Sequence, residues 1–291
     1  MGVTILDGGL GQELVARSTA APTPLWSTRV MLDEPELVRR VHDDFFAAGA
    51  EIATVNTYAV QHDRLQTADL DDRFRDLHLT ACRLACEARD AHGSGRVAGS
   101  LGPLGWSYRP DLAPPAETAA RLYAEIVAIQ AGHVDLFICE TMASVDQARG
   151  ALMGLEGTDR PVWLAVSTME EDGTRLRSGE PVDAVLAVVD DFEPAALLVN
   201  CTAPESISNA LGKLRGHGIP LGAYGNGFVR IAEDYKTNTA SVSQLSTRED
   251  LSPARYADFA EDWAALGATI LGGCCEIGPA HIAELRRRFG T

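Results

Sequence analysis

Asp135-Leu-Phe-Ile-Cys-Glu140 alternates its side chains between two faces, so that Leu136, Ile138 and Glu140 share one side. It passes almost at once into Ser144-Val-Asp-Gln147, a helix start with a capping serine and a glutamine three residues on. The stretch reads as a buried strand feeding a helix. Seven other apolar runs read the same way, giving strands at 3–6, 51–55, 97–101, 135–139, 162–167, 195–200, 220–224 and 269–271, each followed by a segment with helical period. Eight β/α alternations in 291 residues predict an α/β fold, a (β/α)8 TIM barrel, with residues 1–291 forming a single domain.

The helices carry start signals as well. Asp33-Glu34-Pro35-Glu36, with acids at the first and fourth positions, is expected to open a helix through a capping box, and Leu37, Val41 and Phe45 then recur every four residues. Ser252-Pro253 places a cap before a proline at the first helical position, followed by the stripe Tyr256, Phe259, Trp263 and Leu266. Pro279 opens the last helix, with Ile282, Leu285 and Phe289 facing inward.

The composition is that of a soluble enzyme, with 46% hydrophobic and 23% charged residues. A formal net charge of -16 disfavours nucleic acid and an anionic membrane surface as partners. The sequence shows no signal-peptide pattern and no apolar run long enough to span a bilayer, so a cytoplasmic protein is expected. Six cysteines in such a chain point to metal binding, catalysis or packing rather than a disulfide framework. A homo-oligomer is compatible with these features.

In a barrel of this kind the chemistry lies on the loops that follow the strands. Asp7-Gly-Gly, Asn56-Thr-Tyr58, Gly102-Pro103, Glu140-Thr-Met, Cys201, Asn226 and Cys274-Cys275 all fall there. The loops at 8–32, 102–115 and 225–251 are long, and the last is the candidate lid. Any one cysteine at a strand end is a small core residue; three at the ends of strands 6 and 8 are positioned to share one ion. Gly272 and Gly273 are expected to let the chain turn sharply so that both adjacent thiols face that ion. Soft thiolates favour tetrahedral Zn2+ with an open fourth position, and a thiolate-rich zinc suits holding a substrate thiol that remains nucleophilic.

Asp7-Gly-Gly, Glu140-Thr-Met, Val199-Asn-Cys-Thr-Ala-Pro204 and Gly272-Gly-Cys-Cys with Pro279-Ala-His-Ile282 resemble the homocysteine S-methyltransferase family, in order and over nearly the whole chain. That family includes S-methylmethionine-dependent enzymes, betaine-dependent enzymes and the homocysteine module of cobalamin-dependent methionine synthase. The resemblance implies a zinc-dependent enzyme giving methionine, with Cys201, Cys274 and Cys275 as zinc ligands and homocysteine sulfur as the fourth. It gives Asp7 and Glu140 the homocysteine ammonium, while the backbone N–H groups around Gly8 and Gly9 are suited to its carboxylate.

Trp26 and Tyr58 are candidates for an onium methyl donor, since a cation over an aromatic face gains roughly 0.5–2 kcal/mol. Tyr58 also reads as core packing. Asn226 is either a zinc ligand when homocysteine is absent or a turn asparagine between glycines. Cys82 and Cys86 sit one helical turn apart and read as packing, as does Cys139. His281 reads as structural.

Two departures from the family pattern bear on the donor: Glu276 stands where S-methylmethionine-dependent relatives commonly carry arginine, and Tyr224-Gly-Asn-Gly replaces Tyr-Pro-Asn. With no cobalamin or folate module in the sequence, S-methylmethionine or S-adenosylmethionine is the first expectation. Dimethylsulfoniopropionate, betaine or a separate corrinoid partner stay open. A zinc hydrolase and a thiol-based metal sensor are the competing functions, although H-x-E with P-C-x-x-C, the deaminase signature, is lacking.

Overall fold

The computed structural model describes residues 2–20, 23–229, 231 and 245–290. Eight strands, β1 (Thr4–Ile5), β2 (Ile52–Thr54), β3 (Arg96–Leu101), β4 (Leu136–Met142), β5 (Val162–Val166), β6 (Ala196–Asn200), β7 (Leu221–Gly225) and β8 (Ala268–Gly273), form one sheet in the order β1-β8-β7-β6-β5-β4-β3-β2. Every pairing is parallel. The remaining edge closes through Leu6, which bridges Ile52, with Glu51 N–H donating to Ile5 O at 2.7 Å and Asp7 N–H to Ile52 O at 3.0 Å. The result is a (β/α)8 barrel.

Around it run α1 (Leu10–Arg17), α2 (Ser27–Asp33), α3 (Pro35–Ala47), α4 (His62–Gln66), α5 (Phe74–His92), α6 (Ala116–Gln130), α7 (Val145–Met153), α8 (Leu186–Phe192), α9 (Pro204–Leu214), α10 (Pro253–Ala265) and α11 (Pro279–Phe289). The two faces of the strands separate the core in two. Leu6, Ile52, Ala98, Leu136, Ile138, Trp163, Leu198 and Ile270 fill the barrel interior. Ile5, Val97, Phe137, Cys139, Leu164, Val199 and Leu271 face outward and pack against the helices. The alternation expected of residues 135–140 is therefore realised, and Glu140 emerges above Leu136 and Ile138. Among the described residues no helix is long and apolar enough to cross a membrane.

Ser144 and Ser252 cap their helices, accepting from Gln147 N at 3.1 Å and Arg255 N at 3.3 Å. The capping box expected at residues 33–36 does not form. Asp33 ends α2 and pairs with Arg29, and Glu34 stands at the cap position of α3 with its carboxylate accepting from Ser18. Pro35 and the buried Leu37, Val41 and Phe45 still give α3 its start and its inward face.

Strand β8 runs two residues further than expected. Gly272 and Gly273 remain paired with Tyr224 and Gly225, so they are not a turn. Their lack of side chains makes room: a Cβ on Gly272 would meet Leu6 Cβ at 2.5 Å, and one on Gly273 would meet Ile277 Cγ2 at 2.2 Å. Strand β4 also continues, to Met142, across a register shift between Cys139 and Met142. The first long loop contains α1 and α2. The lid expected of residues 225–251 rests mostly on 230 and 232–244, which lie outside the described residues; its base is tied by Val229 N–H to Ser246 O at 2.8 Å.

Candidate active site

The cysteines come together. The sulfurs of Cys201, Cys274 and Cys275 all lie within 4.8 Å of one another, and Cys201 and Cys275 are 4.0 Å apart. They are the one such metal-capable group among the described residues. Cys82 is fully buried in the helical layer, with its thiol pushed up to about 12 by burial, and Cys86 points its thiol at His133 O, so that pair packs as expected. His281 accepts from Gly278 N–H at the start of α11 and its other ring nitrogen meets Leu251 O, a structural role.

The three thiols titrate as a unit. Cys201 is pushed down because Cys274, then Cys275, then Tyr108 donate to its sulfur; Cys274 and Cys275 are pushed up by giving those hydrogen bonds. Three thiolates at this spacing repel one another, so full ionisation requires a cation among them. That donor set suits a soft divalent metal. Tyr108 lies 3.0 Å from Cys201 Sγ, and Arg177 stacks over the Tyr108 ring at 4.5 Å while donating to Cys201 O at 3.1 Å.

Beside the sulfurs a cavity opens at the barrel mouth, lined in part by Asp7, Gly8, Trp26, Tyr58, Glu140 and the three cysteines. Asp7 accepts from Thr54 N–H at 2.6 Å and Thr54 Oγ1 at 2.9 Å; Glu140 accepts from Ser100 Oγ at 2.6 Å and, at 3.4 Å, from the Tyr224 hydroxyl. Burial raises the Asp7 carboxyl to about 8 and that of Glu140 to about 7, outweighing the hydrogen bonds from Thr54 and Ser100. The charge of Glu140 contributes to the rise at Asp7, so each acid lies in the other's field.

The local backbone aims these groups. At the β4 irregularity Thr141 takes φ 60°, and Cys201, just past β6, takes φ 46°. Asn200 links the two strand ends, accepting from Thr141 N–H at 3.0 Å and donating to Thr141 Oγ1 at 2.9 Å. Trp26, Tyr108 and Glu276 also have positive φ, so five of the seven such non-glycine residues described cluster at this end of the barrel. Such conformations cost of order 1–3 kcal/mol each and persist where surrounding structure enforces them, as at functional sites.

Trp26 and Tyr58 meet edge to face, 6.1 Å between centroids. The Trp26 indole N–H donates to Gln12 Oε1 at 2.9 Å, the Tyr58 hydroxyl lies 2.9 Å from Ser107 Oγ, and Trp26 covers Gly11, whose Cβ would strike the indole at 2.3 Å. Gly9 is not free for a ligand, since its N–H donates to Ile277 O at 2.8 Å. A Cβ on Gly8 would meet the same carbonyl at 2.1 Å, so that glycine serves the close crossing of strand and loop. Asn226 is fully buried and outside the cavity lining, with Oδ1 accepting from Phe228 N–H at 3.3 Å. Glu276 also turns away from the cavity, accepting from Gln12 Nε2 and, at 2.9 Å, from Thr247 Oγ1.

Sequence reading missed Tyr108, Arg177, Ser100, Tyr224, Gln12 and Arg64. Ser100 and Tyr224 follow from strand parity once β3 and β7 are placed, as does Glu140. Tyr108 and Arg64 lie in irregular chain and on a short helix, where no periodicity marks them.

A sequence profile of the homocysteine S-methyltransferase family matches residues 4–289. The homocysteine S-methyltransferase of Escherichia coli (strain K12) is 31% identical, over 98% of this chain and 95% of its own. Homocysteine S-methyltransferase YbgG of Bacillus subtilis (strain 168) is 27% identical over 97% and 92%. The crystal structure of the E. coli homocysteine methyltransferase MmuM in its metallated form superimposes with a TM-score of 0.82 at 29% identity, covering 99% of this chain and 96% of that one. The full-length match makes the converging thiols and acids intelligible together: the chain belongs to the homocysteine S-methyltransferase family and is an enzyme of methyl transfer to homocysteine.

Proposed function

We propose that the enzyme binds Zn2+ through Cys201, Cys274 and Cys275 and methylates homocysteine from a sulfonium or related onium donor, S-methylmethionine or S-adenosylmethionine first. The observation that carries this reading is the convergence of three thiols within 4.8 Å beside a cavity lined by the acids Asp7 and Glu140 and an aromatic pair. The E. coli relative is known in a metallated form. When bound, zinc supplies the lowering of a substrate thiol's pKa toward neutrality while leaving its sulfur nucleophilic.

The protein's own groups account for the rest. Asp7 and Glu140 hold the homocysteine ammonium, which favours their ionised forms against burial. Gly8 lines the same cavity and keeps the loop close to the substrate. Trp26 and Tyr58, which line the cavity as an edge-to-face pair, receive the onium. The homocysteine thiolate then attacks the methyl carbon in line, the donor's carbon–heteroatom bond breaks, and its electron pair returns to the leaving atom, which loses its positive charge. No proton transfer is needed in that step, so alignment and the negative field of the site do most of the work. Asn226, engaged with its own turn, acts as a turn residue.

Incubating zinc-loaded enzyme with homocysteine and S-methylmethionine, S-adenosylmethionine, dimethylsulfoniopropionate or betaine should yield methionine from at least one. Cys275→Ala should lose both zinc and turnover. Methionine from none of the donors, or full activity in the variant, refutes the reading.

A further inference from the structure

The cavity contains one cation that none of these roles uses. Among the described lining residues Arg64 is the single basic side chain. It sits on α4, 8% exposed, and its Nε and Nη2 are buried with no hydrogen-bond partner among the described residues. Its guanidinium carbon lies 4.9 Å from the centre of the Trp106 ring and 5.9 Å from that of Tyr58.

A buried guanidinium without a counter-charge is costly, and two ring faces offset that only in part. Its planar N–H edge is suited to a carboxylate received through two parallel hydrogen bonds. The acids of the site are engaged elsewhere, Asp7 by Thr54 and Glu140 by Ser100 and Tyr224. The carboxylate that Arg64 awaits therefore belongs to a ligand. Tyr58 is in ring-contact range of both Arg64 and Trp26, and all three line the same cavity. A donor whose onium lies against Trp26 and Tyr58 therefore shares a wall with this cation, whereas homocysteine is proposed to be held by its ammonium at Asp7 and Glu140.

We infer that Arg64 anchors a free carboxylate on the methyl donor, making this enzyme selective for onium donors that carry one. The inference rests on the onium-donor reading above. With Arg64 removed, the loss of a charged, two-pronged contact raises the donor KM on the order of 100-fold.

The test compares wild type, Arg64→Lys and Arg64→Gln with two donors, S-methylmethionine and its carboxyl methyl ester, and two acceptors, homocysteine and 3-aminopropanethiol, which lacks the carboxylate. Calorimetric binding of both donors is measured in parallel, so that the result does not depend on turnover. Wild type should prefer the acid to the ester. Arg64→Gln should lose that preference, Arg64→Lys should keep part of it, and the homocysteine KM should not move. The Arg64→Gln penalty should vanish with the donor ester and persist with 3-aminopropanethiol.

A penalty that vanishes with 3-aminopropanethiol instead assigns the carboxylate to homocysteine and overturns the proposal. So does one that is equal for acid and ester, which marks a structural role, and so does wild type binding acid and ester alike. Failure of every donor to give methionine sinks the methyl-transfer reading by itself, while the acid-to-ester binding ratio in wild type and Arg64→Gln still decides the role of Arg64.

Discussion

Glu140→Gln separates a substrate-binding acid from a structural one, because the two roles predict opposite signs. In the fold the carboxyl is raised from 4.5 to about 7, chiefly by burial. At about 1.4 kcal/mol per unit, ionising it without a ligand costs on the order of 3 kcal/mol, an upper bound because the side chain is only half-buried. A raised carboxyl favours the fold fully below pH 4.5 and loses that contribution as pH rises to about 7. The glutamine variant should then be more stable than wild type at pH 8 and no more stable at pH 4. Ser100 Oγ keeps an acceptor in the amide, so the hydrogen bond survives the exchange.

Homocysteine binding should move the other way. Removing one charge from a buried ion pair costs about 3–5 kcal/mol. With Asp7 still present the lower end applies, which is on the order of 100-fold in homocysteine KM. Wild-type affinity should rise with pH through the ionisations near 7 and 8, and the variant should retain only the Asp7 limb. Initial rates with varied homocysteine between pH 6 and 9, beside thermal denaturation at pH 4 and 8, read both effects. An unchanged homocysteine KM, or a variant destabilised at pH 8, refutes the reasoning.

Two further outcomes follow from contacts around the cavity. Glu276 holds Gln12 Nε2, leaving Gln12 Oε1 for the Trp26 indole, so Glu276→Arg forces the amide to turn and sets donor against donor at Trp26. Loss of that neutral hydrogen bond, about 1 kcal/mol, should raise the donor KM about fivefold, with Glu276→Gln mild; equal kinetics in the two variants would sink this relay. Gly273→Ala places a Cβ 2.2 Å from Ile277 Cγ2 and should cost roughly 1–3 kcal/mol of stability in denaturant melts, whereas Gly212→Ala on the exposed face of α9 should add about 0.5–1 kcal/mol. Similar midpoints for both would show that the β8 glycines are not needed for space.

What was legible in the sequence is what periodicity and thiol chemistry control. Strand parity alone put Glu140 above Leu136 and Ile138, and the barrel brought Cys201 to Cys274 and Cys275 without any local signal joining them. What was not legible depends on packing across elements. Gly272 and Gly273 are silent as to whether they bend or make room, because the deciding neighbours, Leu6 and Ile277, come from elsewhere in the chain. Glu276, next to the cysteine pair and in place of the arginine common in relatives, read as bearing on the donor, but at φ 66° it turns toward Gln12 and away from the cavity. Arg64 gave no signal at all, since a lone arginine on a five-residue helix is ordinarily a surface group.

The Asn200–Thr141 linkage explains how a site assembled from separate loops keeps its dimensions. Thr141 directly follows Glu140 and Asn200 directly precedes Cys201, so one buried amide joins the strand end bearing an acid to the strand end bearing the first thiol. Both neighbouring residues, Thr141 and Cys201, sit in left-handed backbone that relaxation would move out of position. A methyl transfer governed by alignment tolerates little change in the distance between the held ammonium and the held sulfur, because both belong to the same small substrate. If homocysteine binds as proposed, the two hydrogen bonds set that distance from beneath, using groups that need never touch the substrate. The asparagine of Val199-Asn-Cys is on this account a positioning residue, and the motif pairs a proposed zinc ligand with the clamp that sets its place.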